Sequence, residues 1–458
     1  MLIPDLQTPP HQIFAFLHQM QSKAVFLESS VPHPDHGRYS IITSSPETEV
    51  YLHNGILHVM EEPPIPGNFE AMARVVRSWL NKYPEMKSAT PPPYFTGGVI
   101  GFVSYDINRY LYDGHQVGKV SSWPEGCFRL YRWSLVYDHQ QQQYSVHGVP
   151  PFDIRELNRI SENRAQTEAS PRLSEVHPLS SYKEYLEQIL TIQEWIRRGD
   201  VYQVNLTRQF ECFWNTDSCA HIHQSTGRLY QLLRKHNPAP FSCMFPLMNG
   251  QYILSSSPEL FFSLKQRHVT LRPIKGTSPR HADPIHDQTS RDFLWNSSKD
   301  QAELLMIVDL ERNDLGKVCE FGSIHVPQIK TIESYASVHH LVSTIQGTLR
   351  QNLDVWDLIR ALAPCGSITG TPKLRAMERI HELESFARGI YTGNIGWIDF
   401  WGNACFNVAI RTLLIEENRL MFNTGGGIVI DSRPEQEYQE TLDKARGIQL
   451  ALTQWNHS

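Results

Sequence analysis

The chain has no C-x-x-C pair. Its seven cysteines, Cys127, Cys212, Cys219, Cys243, Cys319, Cys365 and Cys405, are odd in number and scattered. That argues against a disulfide framework or a structural zinc site and suits a reducing cytoplasm. H-E-x-x-H is missing despite 21 histidines, which argues against a zinc hydrolase. There is no run of about 18 apolar residues, so no membrane-spanning helix is expected. The first residues, Met1-Leu2-Ile3-Pro4-Asp5, offer no basic region and no uninterrupted apolar core, so the sequence predicts no secretory signal. Excess positive charge is also lacking: the formal net charge is −6, which leaves no electrostatic footprint for nucleic acid. Neither a Walker-type G-x-x-x-x-G-K-[ST] loop nor a G-x-G-x-x-G turn inside a βαβ unit occurs.

What is present describes an ordinary folded protein. The 458 residues are 40% apolar and 20% charged, enough for more than one core or one large domain. Short runs at 25–29, 39–42, 129–136, 143–146, 201–210, 391–400 and 404–415 read as strands. Helices are predicted over 12–20, 69–82 and 299–316, with others opening near Lys373 and, capped by Asp431 or Ser432, near Pro434. Ser181-Tyr182-Lys183-Glu184 is a capping box that starts a further helix, and Gly199 is a natural terminator for it. The polar segment 161–179, with Pro171 and Pro178, is the best linker, and it divides an N-terminal region 1–165 from a C-terminal region 180–458. Many short strands without a βαβ rhythm predict an α+β fold with largely antiparallel sheets.

Several residues carry chemistry. Lys275 sits in Arg272-Pro273-Ile274-Lys275-Gly276-Thr277, at the end of an apolar strand. A lysine so placed can lose its charge by desolvation and become a nucleophile, although one snorkelling from a sheet edge is commoner. Upstream, the run 252–262 reads as a strand broken by a corner at Pro258-Glu259. The strand 201–210 sets Gln203, Asn205, Thr207 and Gln209 on one face, which in the ordinary case is solvated. Pro364-Cys365-Gly366-Ser367 leads a glycine-rich turn into a helix, where free N–H groups can bind an anion. Arg411 ends an apolar run, a natural place for a bidentate carboxylate contact. Gly425-Gly426-Gly427 reads as a turn whose backbone can approach a ligand closely. Glu303 and Glu440 stand on separate predicted helices, and spacing alone does not pair them. His339 and His340 precede an apolar run, where a buried structural histidine is the usual case.

Taken together, these motifs resemble the chorismate-utilising enzymes. The resemblance rests on Gly97-Gly98-Val99-Ile100-Gly101-Phe102-Val103-Ser104-Tyr105-Asp106, on Pro273-Ile274-Lys275-Gly276-Thr277, on the helix block from Lys299 to Asp314, which follows D-R-A-E-x-L-M-x-V-D-L-x-R-N-D, and on Gly366-Ser367-Ile368-Thr369-Gly370-Thr371-Pro372-Lys373. It implies two largely antiparallel β-sheets packed as a sandwich with helices outside. It implies that Lys275 is the nucleophile, Glu259 the general acid and His340 a residue of the substrate pocket. Gly276, Thr277, Ser367, Tyr391, Arg411, Gly425, Gly426 and Gly427 would bind chorismate, and Glu303 and Glu440 would hold Mg²⁺. Anthranilate synthases resemble the chain over the same blocks but carry alanine where Lys275 stands. Isochorismate and salicylate synthases carry a water-activating lysine where Gln203 stands, and a glutamine cannot do that work.

The resemblance thus implies amination of chorismate to 4-amino-4-deoxychorismate, on the p-aminobenzoate branch of folate synthesis. Anthranilate synthase component I is the alternative reading. It also implies a glutamine amidotransferase subunit as heterodimer partner, since the chain has no G-x-C-x-G nucleophile turn. Phe26-Leu27-Glu28-Ser29 is close to the family's L-L-E-S at a tryptophan pocket. Ser29, His36, Gly37, Arg38 and Tyr39 would line that pocket, closed by Pro240, Phe241 and Ser242. A reading from another class is a catalytically silent amino-acid sensor that uses only this pocket. The intact set Glu259, Lys275, Glu303, His340 and Glu440 argues against it.

Overall fold

The computed structural model describes residues 2–457 apart from 4–5, 22, 32–36, 88–89, 158–170, 217, 249 and 336–337. Among the described residues the strands form two twelve-stranded sheets, and every strand pair is antiparallel. The first sheet runs Leu2–Ile3, Gln143–His147, Ser134–Asp138, Tyr39–Thr43, Val25–Glu28, Phe241–Pro246, Gln251–Ser257, Thr412–Glu416, Arg419–Ile428, Gln203–Phe213 and His177–Pro178, with Gly370–Thr371 beside Gln203–Phe213. The second runs Ile274–Pro279, Val338–Thr348, His268–Arg272, Leu260–Lys265, Ala404–Val408, Asn394–Asp399, Gly98–Val103, Gly126–Tyr131, Thr48–His53, Ile56–Val59 and Ile65–Pro66, with His325–Ser334 on the other edge of Val338–Thr348. This is the α+β sandwich that the sequence implied. Both sheets interleave strands from the regions 1–165 and 180–458, and the boundary itself falls at 158–170, outside the described residues.

Strands of both sheets are buried on both faces. Ile253, Cys243 and Phe245 of the first sheet meet Ile100, Phe102 and Ile395 of the second in the inter-sheet core. On the outer face of the first sheet, Met244, Leu254 and Phe422 pack on the helices Pro10–Met20, Cys219–His236 and Pro434–Asn456. On the outer face of the second, Val99, Val103 and Phe406 pack on Phe69–Asn81 and Val355–Leu362. Burying both faces removes the apolar–polar alternation that marks a strand with one wet face.

That explains where the sequence reading went astray. The run 129–136 is two strands, Gly126–Tyr131 in the second sheet and Ser134–Asp138 in the first. The run 404–415 is likewise two, Ala404–Val408 and Thr412–Glu416, and the chain changes sheets between them at Arg411, whose φ is +49°. Continuous apolar character hides these crossings because no face turns to water. The strand read from 391 starts only at Asn394. Ser432 does not cap the last helix: its hydroxyl accepts from the Val429 N–H at 3.1 Å and donates to Glu437 Oε1 at 2.7 Å. The capping box at Ser181 and Glu184 is present as read, with bonds of 3.2 and 2.7 Å, and Gly199 follows the helix Tyr182–Arg197 with φ +78°.

Gly101 lies opposite Gly396 on adjacent strands, and a Cβ on either would come 2.0 Å from a backbone oxygen, that of Cys127 or of Cys405. Backbone cannot swing aside as a side chain can. Gly101→Ala is therefore expected to destabilise the fold by about 1–3 kcal/mol, read as a lower urea midpoint. An unchanged midpoint would mean that the two strands can part at this point.

His18 makes a second prediction. It is buried between Pro10–Met20 and Cys219–His236, with Nε2 3.0 Å from Thr226 Oγ1. Burial, helped by the nearby His223, pushes its pKa down to about 3 against a hydrogen bond to the His223 backbone. The unfolded chain binds this proton near the ordinary 6.5 and the folded chain does not, so stability falls as pH drops from about 6.5 towards about 3, by about 1.4 kcal/mol per unit. His18→Leu should flatten that limb in urea titrations run across pH; an equally steep limb would place the acid sensitivity elsewhere.

Candidate active site

Pro273 separates His268–Arg272 from Ile274–Pro279, and both strands pair with Val338–Thr348. The register slips between Ile274 and Thr277, where Gly276 has φ +79°. A Cβ at Gly276 would meet Leu294 at 2.8 Å and Asp300 at 2.9 Å, so only glycine lets the helices Pro284–Asn296 and Ser298–Gly316 close over this strand. The irregularity carries Lys275 into the site, where Nζ donates to the Ser367 carbonyl at 3.0 Å. The amine acts electrostatically on Glu259, Glu303 and Glu440. This is not the apolar strand end read from the sequence. The lysine reaches a carbonyl of a distant turn and acts at longer range on three carboxyl groups, none of them near it in the chain.

Glu259 stands at the corner between Gln251–Ser257 and Leu260–Lys265, where the chain passes from the first sheet to the second. Its side chain is buried. Burial raises its pKa, while the Ser367 hydroxyl, the Lys275 charge, the Ile274 N–H at 3.5 Å and Lys444 pull it back without cancelling the rise. A carboxyl held above its ordinary range is suited to give up a proton near neutrality. Ser367 lies in the short turn Gly366–Ile368, so one residue offers its carbonyl to the lysine and its hydroxyl to the acid. At the following helix start, Lys373 is buried against Asp314 and donates to the Leu362 carbonyl at 2.8 Å.

His340, on Val338–Thr348, has Nδ1 3.0 Å from Thr277 Oγ1. Burial and the charge of Arg411 push its pKa down to about 3, against a backbone hydrogen bond at Gly276, so the imidazole is neutral. His339 is the structural one, held between Ser334 Oγ at 2.7 Å and Asp287 Oδ1 at 3.1 Å. Arg411 reaches Asn237 Oδ1 at 3.2 Å and, among the described residues, pairs with no carboxylate; burial alone lowers its pKa. A desolvated guanidinium without a counter-charge is a ready receptor for a ligand carboxylate. Tyr391 is buried in the turn before Asn394–Asp399, and burial, opposed by Arg388 and aided by Glu384, pushes its phenol up to about 12, so it is a neutral donor.

Gly425, Gly426 and Gly427 form no turn. They lie inside the strand Arg419–Ile428, paired with Thr207, Leu206 and Asn205. The neighbouring strand Thr412–Glu416 pairs only as far as Leu413 with Phe422, which leaves one edge of this glycine stretch without a strand beside it among the described residues. The polar row is not solvated either: Gln203, Asn205, Thr207 and Gln209 are all buried, and neither amide atom of Gln203 has a protein partner.

Glu303 on Ser298–Gly316 and Glu437 on Pro434–Asn456 both face Lys299, and Glu440 stands one turn beyond Glu437. Lys299 Nζ lies 3.9 Å from Glu303 Oε1 and 3.5 Å from Glu437 Oε1, and Lys444 Nζ lies 2.7 Å from Glu440 Oε1. Burial opposes the Lys299 charge, but Glu437, Glu303 and Glu440 outweigh it and raise its pKa. Lys444, against burial, holds Glu440 low; burial raises Glu303 against Lys275 and Lys299. Gly426 keeps the space under these carboxylates open, since a Cβ there would lie 3.2 Å from Glu437 Oε2 and 3.8 Å from Glu440 Oε1. Among the described residues no three acidic, histidine or cysteine side chains form a ready cage. An all-oxygen, carboxylate-poor site still fits Mg²⁺, which takes one or two protein carboxylates and completes its shell with water and ligand oxygens. Glu437 and Lys444 were missed in the sequence, although their spacing of three and four residues from Glu440 puts all three on one helix face.

The N-terminal residues meet at a cavity of about 810 Å³ between the sheets, lined in part by Gly37, Arg38, Tyr39, Pro240, Phe241 and Ser242. Ser29 borders it: a Cβ on Gly37 would meet Ser29 Oγ at 2.4 Å and Pro240 at 3.3 Å. His36 lies outside the described residues. Arg38 is paired with Asp138 at 2.6 Å, and Glu28 with Arg234 at 2.5 Å and with the Tyr230 hydroxyl. The cavity does not include Lys275, Glu303 or Glu440.

Known proteins resemble this chain over nearly its whole length. A profile described as chorismate binding enzyme matches residues 66–449. Aminodeoxychorismate synthase component 1 of Salmonella typhimurium is 37% identical over 418 residues, 91% of this chain and 90% of its own. Anthranilate synthase component 1 of Saccharolobus solfataricus is 34% identical over 445 residues, 97% of both chains. Anthranilate synthase component I from Streptococcus pneumoniae, a crystal structure, aligns with a TM-score of 0.71 at 29% identity, covering 90% of this chain and 92% of that one. With the sandwich, the corner acid and the facing glutamates in place across that matched span, the chain belongs to the chorismate binding enzymes.

Proposed function

We propose that the chain is an aminodeoxychorismate synthase component I, converting chorismate and ammonia to 4-amino-4-deoxychorismate. The observation that carries this reading is Lys275, with its amine among Glu259, Glu303 and Glu440, at the position where anthranilate synthases carry alanine. Gln203 in place of a lysine argues against hydration of the ring.

Arg411, the Tyr391 phenol and the open strand edge at Gly425–Gly427 hold the enolpyruvyl carboxylate. Glu303 and Glu440, with Glu437 beside them, would hold Mg²⁺, which when bound withdraws electron density through the ring carboxylate and makes the ring electrophilic. The free amine of Lys275 attacks C2 with its lone pair, both ring double bonds shift by one bond, and the C4–O bond breaks. Glu259 gives its proton to that oxygen, which leaves as water. Ammonia attacks C4, both double bonds shift back, and the C2–N bond breaks to return the Lys275 amine. The new amine carries the extra proton as an ammonium group, and Glu259 is left as carboxylate. Ammonia comes from a glutamine amidotransferase subunit in a heterodimer, a reading supported by the name component 1 carried by the matched relatives. Free thiols at all six described cysteines support a cytoplasmic setting. Among the described residues no helix is long and apolar enough to cross a membrane. The inter-sheet cavity at Gly37–Tyr39 and Pro240–Ser242 would take tryptophan; Arg38 and Glu28 at its wall are paired with Asp138 and Arg234.

Mass spectrometry of the products from chorismate, Mg²⁺ and ammonium chloride tests the reading. The expected species has the mass of aminodeoxychorismate and is converted to p-aminobenzoate by the matching lyase; anthranilate with free pyruvate would overturn it. Lys275→Ala should abolish covalent trapping of the ring and most product formation, and Glu259→Gln should lower kcat by about 10²–10⁴-fold. Covalent trapping left intact in Lys275→Ala would remove the lysine from the mechanism. Arg411→Ala removes one partner of a desolvated charge pair and should weaken chorismate binding by about 2–5 kcal/mol, seen as a raised KM. An unchanged KM would mean that the carboxylate is held elsewhere.

A further inference from the structure

Glu311 is a carboxyl group that the mechanism above does not use. It lies on Ser298–Gly316, two turns beyond Glu303, and its side chain is buried with Oε2 lacking any hydrogen-bond partner. In the sequence it occupies the open position of the D-L-x-R-N-D block. Its other oxygen, Oε1, lies 3.7 Å from Cys365 Sγ, which lies 3.3 Å from Ser367 Oγ. The Ser367 hydroxyl in turn is a hydrogen-bonding group of Glu259. Gly366 lets this turn sit directly on the helix: a Cβ there would be 2.8 Å from Leu310 and 3.7 Å from Glu311 Cγ. Two buried carboxyl groups are thus joined by one thiol and one hydroxyl, each able both to donate and to accept.

We propose that Glu311 is a positioning residue that supplies Glu259 with a proton through Cys365 and Ser367. The proposal rests on the aminodeoxychorismate reading, because that reaction leaves Glu259 as a carboxylate once per turnover. In the reload, the Glu311 carboxyl proton passes to Sγ, the thiol proton passes to Ser367 Oγ, and the Ser367 hydroxyl proton passes to Glu259. Three protons each move one link, Glu311 becomes the carboxylate, Glu259 becomes the acid, and both bridging groups are restored.

The electrostatics suit a single shared proton. Burial and the Glu259 charge raise the pKa of Glu311 well above the ordinary value; Asp314 adds to the rise, and Lys373 and the Cys365 thiol oppose it. Two carboxyl groups in one buried network do not both ionise readily, so a proton taken from one is drawn from the other. The groups that bear on Glu259 are Lys275 and Lys444, which stabilise its ionised form, besides Ser367 and the Ile274 N–H. Beyond Glu311, Lys373 is ion-paired to Asp314, and Asp314 is bonded at 2.8 Å to Lys317, which is half exposed. Glu311 is then reprotonated from solvent between turnovers.

The test uses the full chain with chorismate, Mg²⁺ and ammonium chloride, and reads kcat and KM from about pH 6 to 9. Glu311→Gln keeps the shape but removes the proton. It is expected to move the alkaline limb of kcat down by about one pH unit, about tenfold in rate at the alkaline end, with the KM for chorismate unchanged at pH values below that limb. Cys365→Ser keeps a group that donates and accepts and should retain the wild-type profile. Cys365→Ala cuts the chain in the middle and should reproduce the Glu311→Gln profile. The double variant Glu311→Gln/Cys365→Ala should be no worse than either alone, because both break one path. A Glu311→Gln profile that superimposes on the wild type would overturn the proposal, as would losses in the two single variants that multiply in the double. If Glu311→Gln does not fold, the contrast between Cys365→Ser and Cys365→Ala decides, and equal profiles would overturn it. A wild-type chain that makes anthranilate, or leaves chorismate unconsumed, is a different outcome and overturns the functional reading first.

Discussion

Two places where the chain changes sheets are hydrogen-bonded to each other, and the site depends on that bond set. At the first corner, Ser257 Oγ donates to the Val408 carbonyl at 2.5 Å, and the Glu259 carbonyl accepts from the Val408 N–H at 3.0 Å. At the second, the Arg411 carbonyl accepts from the Ser256 N–H at 3.1 Å. Each corner is the end of two strands, one in each sheet, and those strands are packed on both faces. Close-packed layers resist independent movement. The acid at Glu259 and the unpaired cation at Arg411 are therefore held in a fixed relation by the same packing that closes the sandwich. A residue at such a corner is fixed by two sheets yet lies outside both ladders, so its side chain is free to serve a ligand.

A contrast between Arg388, which is buried, and Arg411, which is part-buried, shows where the fold spends its counter-charges. Arg388 is almost wholly buried and bound to Glu384 at 2.7 Å, and it also donates to the carbonyls of Ile368 at 3.1 Å and Asn205 at 2.8 Å. A buried pair of this kind offsets its own desolvation only when its remaining donors are also used. Here they are, and in being used they tie the Ser367 turn to the strand carrying Gln203 and Asn205. Among the described residues, Arg411 has only the Asn237 amide oxygen. Leaving a desolvated guanidinium without a carboxylate costs stability, and the cost is offset when a ligand brings the missing charge. One arginine is structural because its partners are complete; the other is a receptor because they are not.

Legibility in the sequence followed the range of the interactions. Local devices could be read: the capping box at Ser181, the corner at Pro258-Glu259, the glycine at 276. The antiparallel α+β class followed from many short strands without a βαβ rhythm, and the two-sheet packing from the resemblance. The crossings at 132–133 and 409–411 were invisible, because strands buried on both faces show no change of pattern when they leave one sheet for the other. The same burial turned the Gln203–Gln209 row from an expected wet face into an interior one, and the glycine triplet from a turn into a strand. The environment of Lys275 could not be read at all. Its carboxylate neighbours come from positions 259, 303 and 440, and no local spacing reports contacts of that range.

The charges at the site explain why a raised pKa at Glu259 matters beyond acid catalysis. With Lys275 present as the free amine, Lys299 and Lys444 face Glu303, Glu437 and Glu440, two formal positive charges against three negative. With Glu259 protonated, Arg411 adds the third positive charge and the group is balanced before a dianionic guest enters. With Glu259 ionised the group gains a negative charge in a space with little water to screen it, and binding of the same guest becomes less favourable. Substrate entry and acid readiness are then the same electrostatic condition. A proton on Glu259 both admits the dianion and is the proton that the C4 oxygen will take, so whatever restores that proton also restores the affinity of the site.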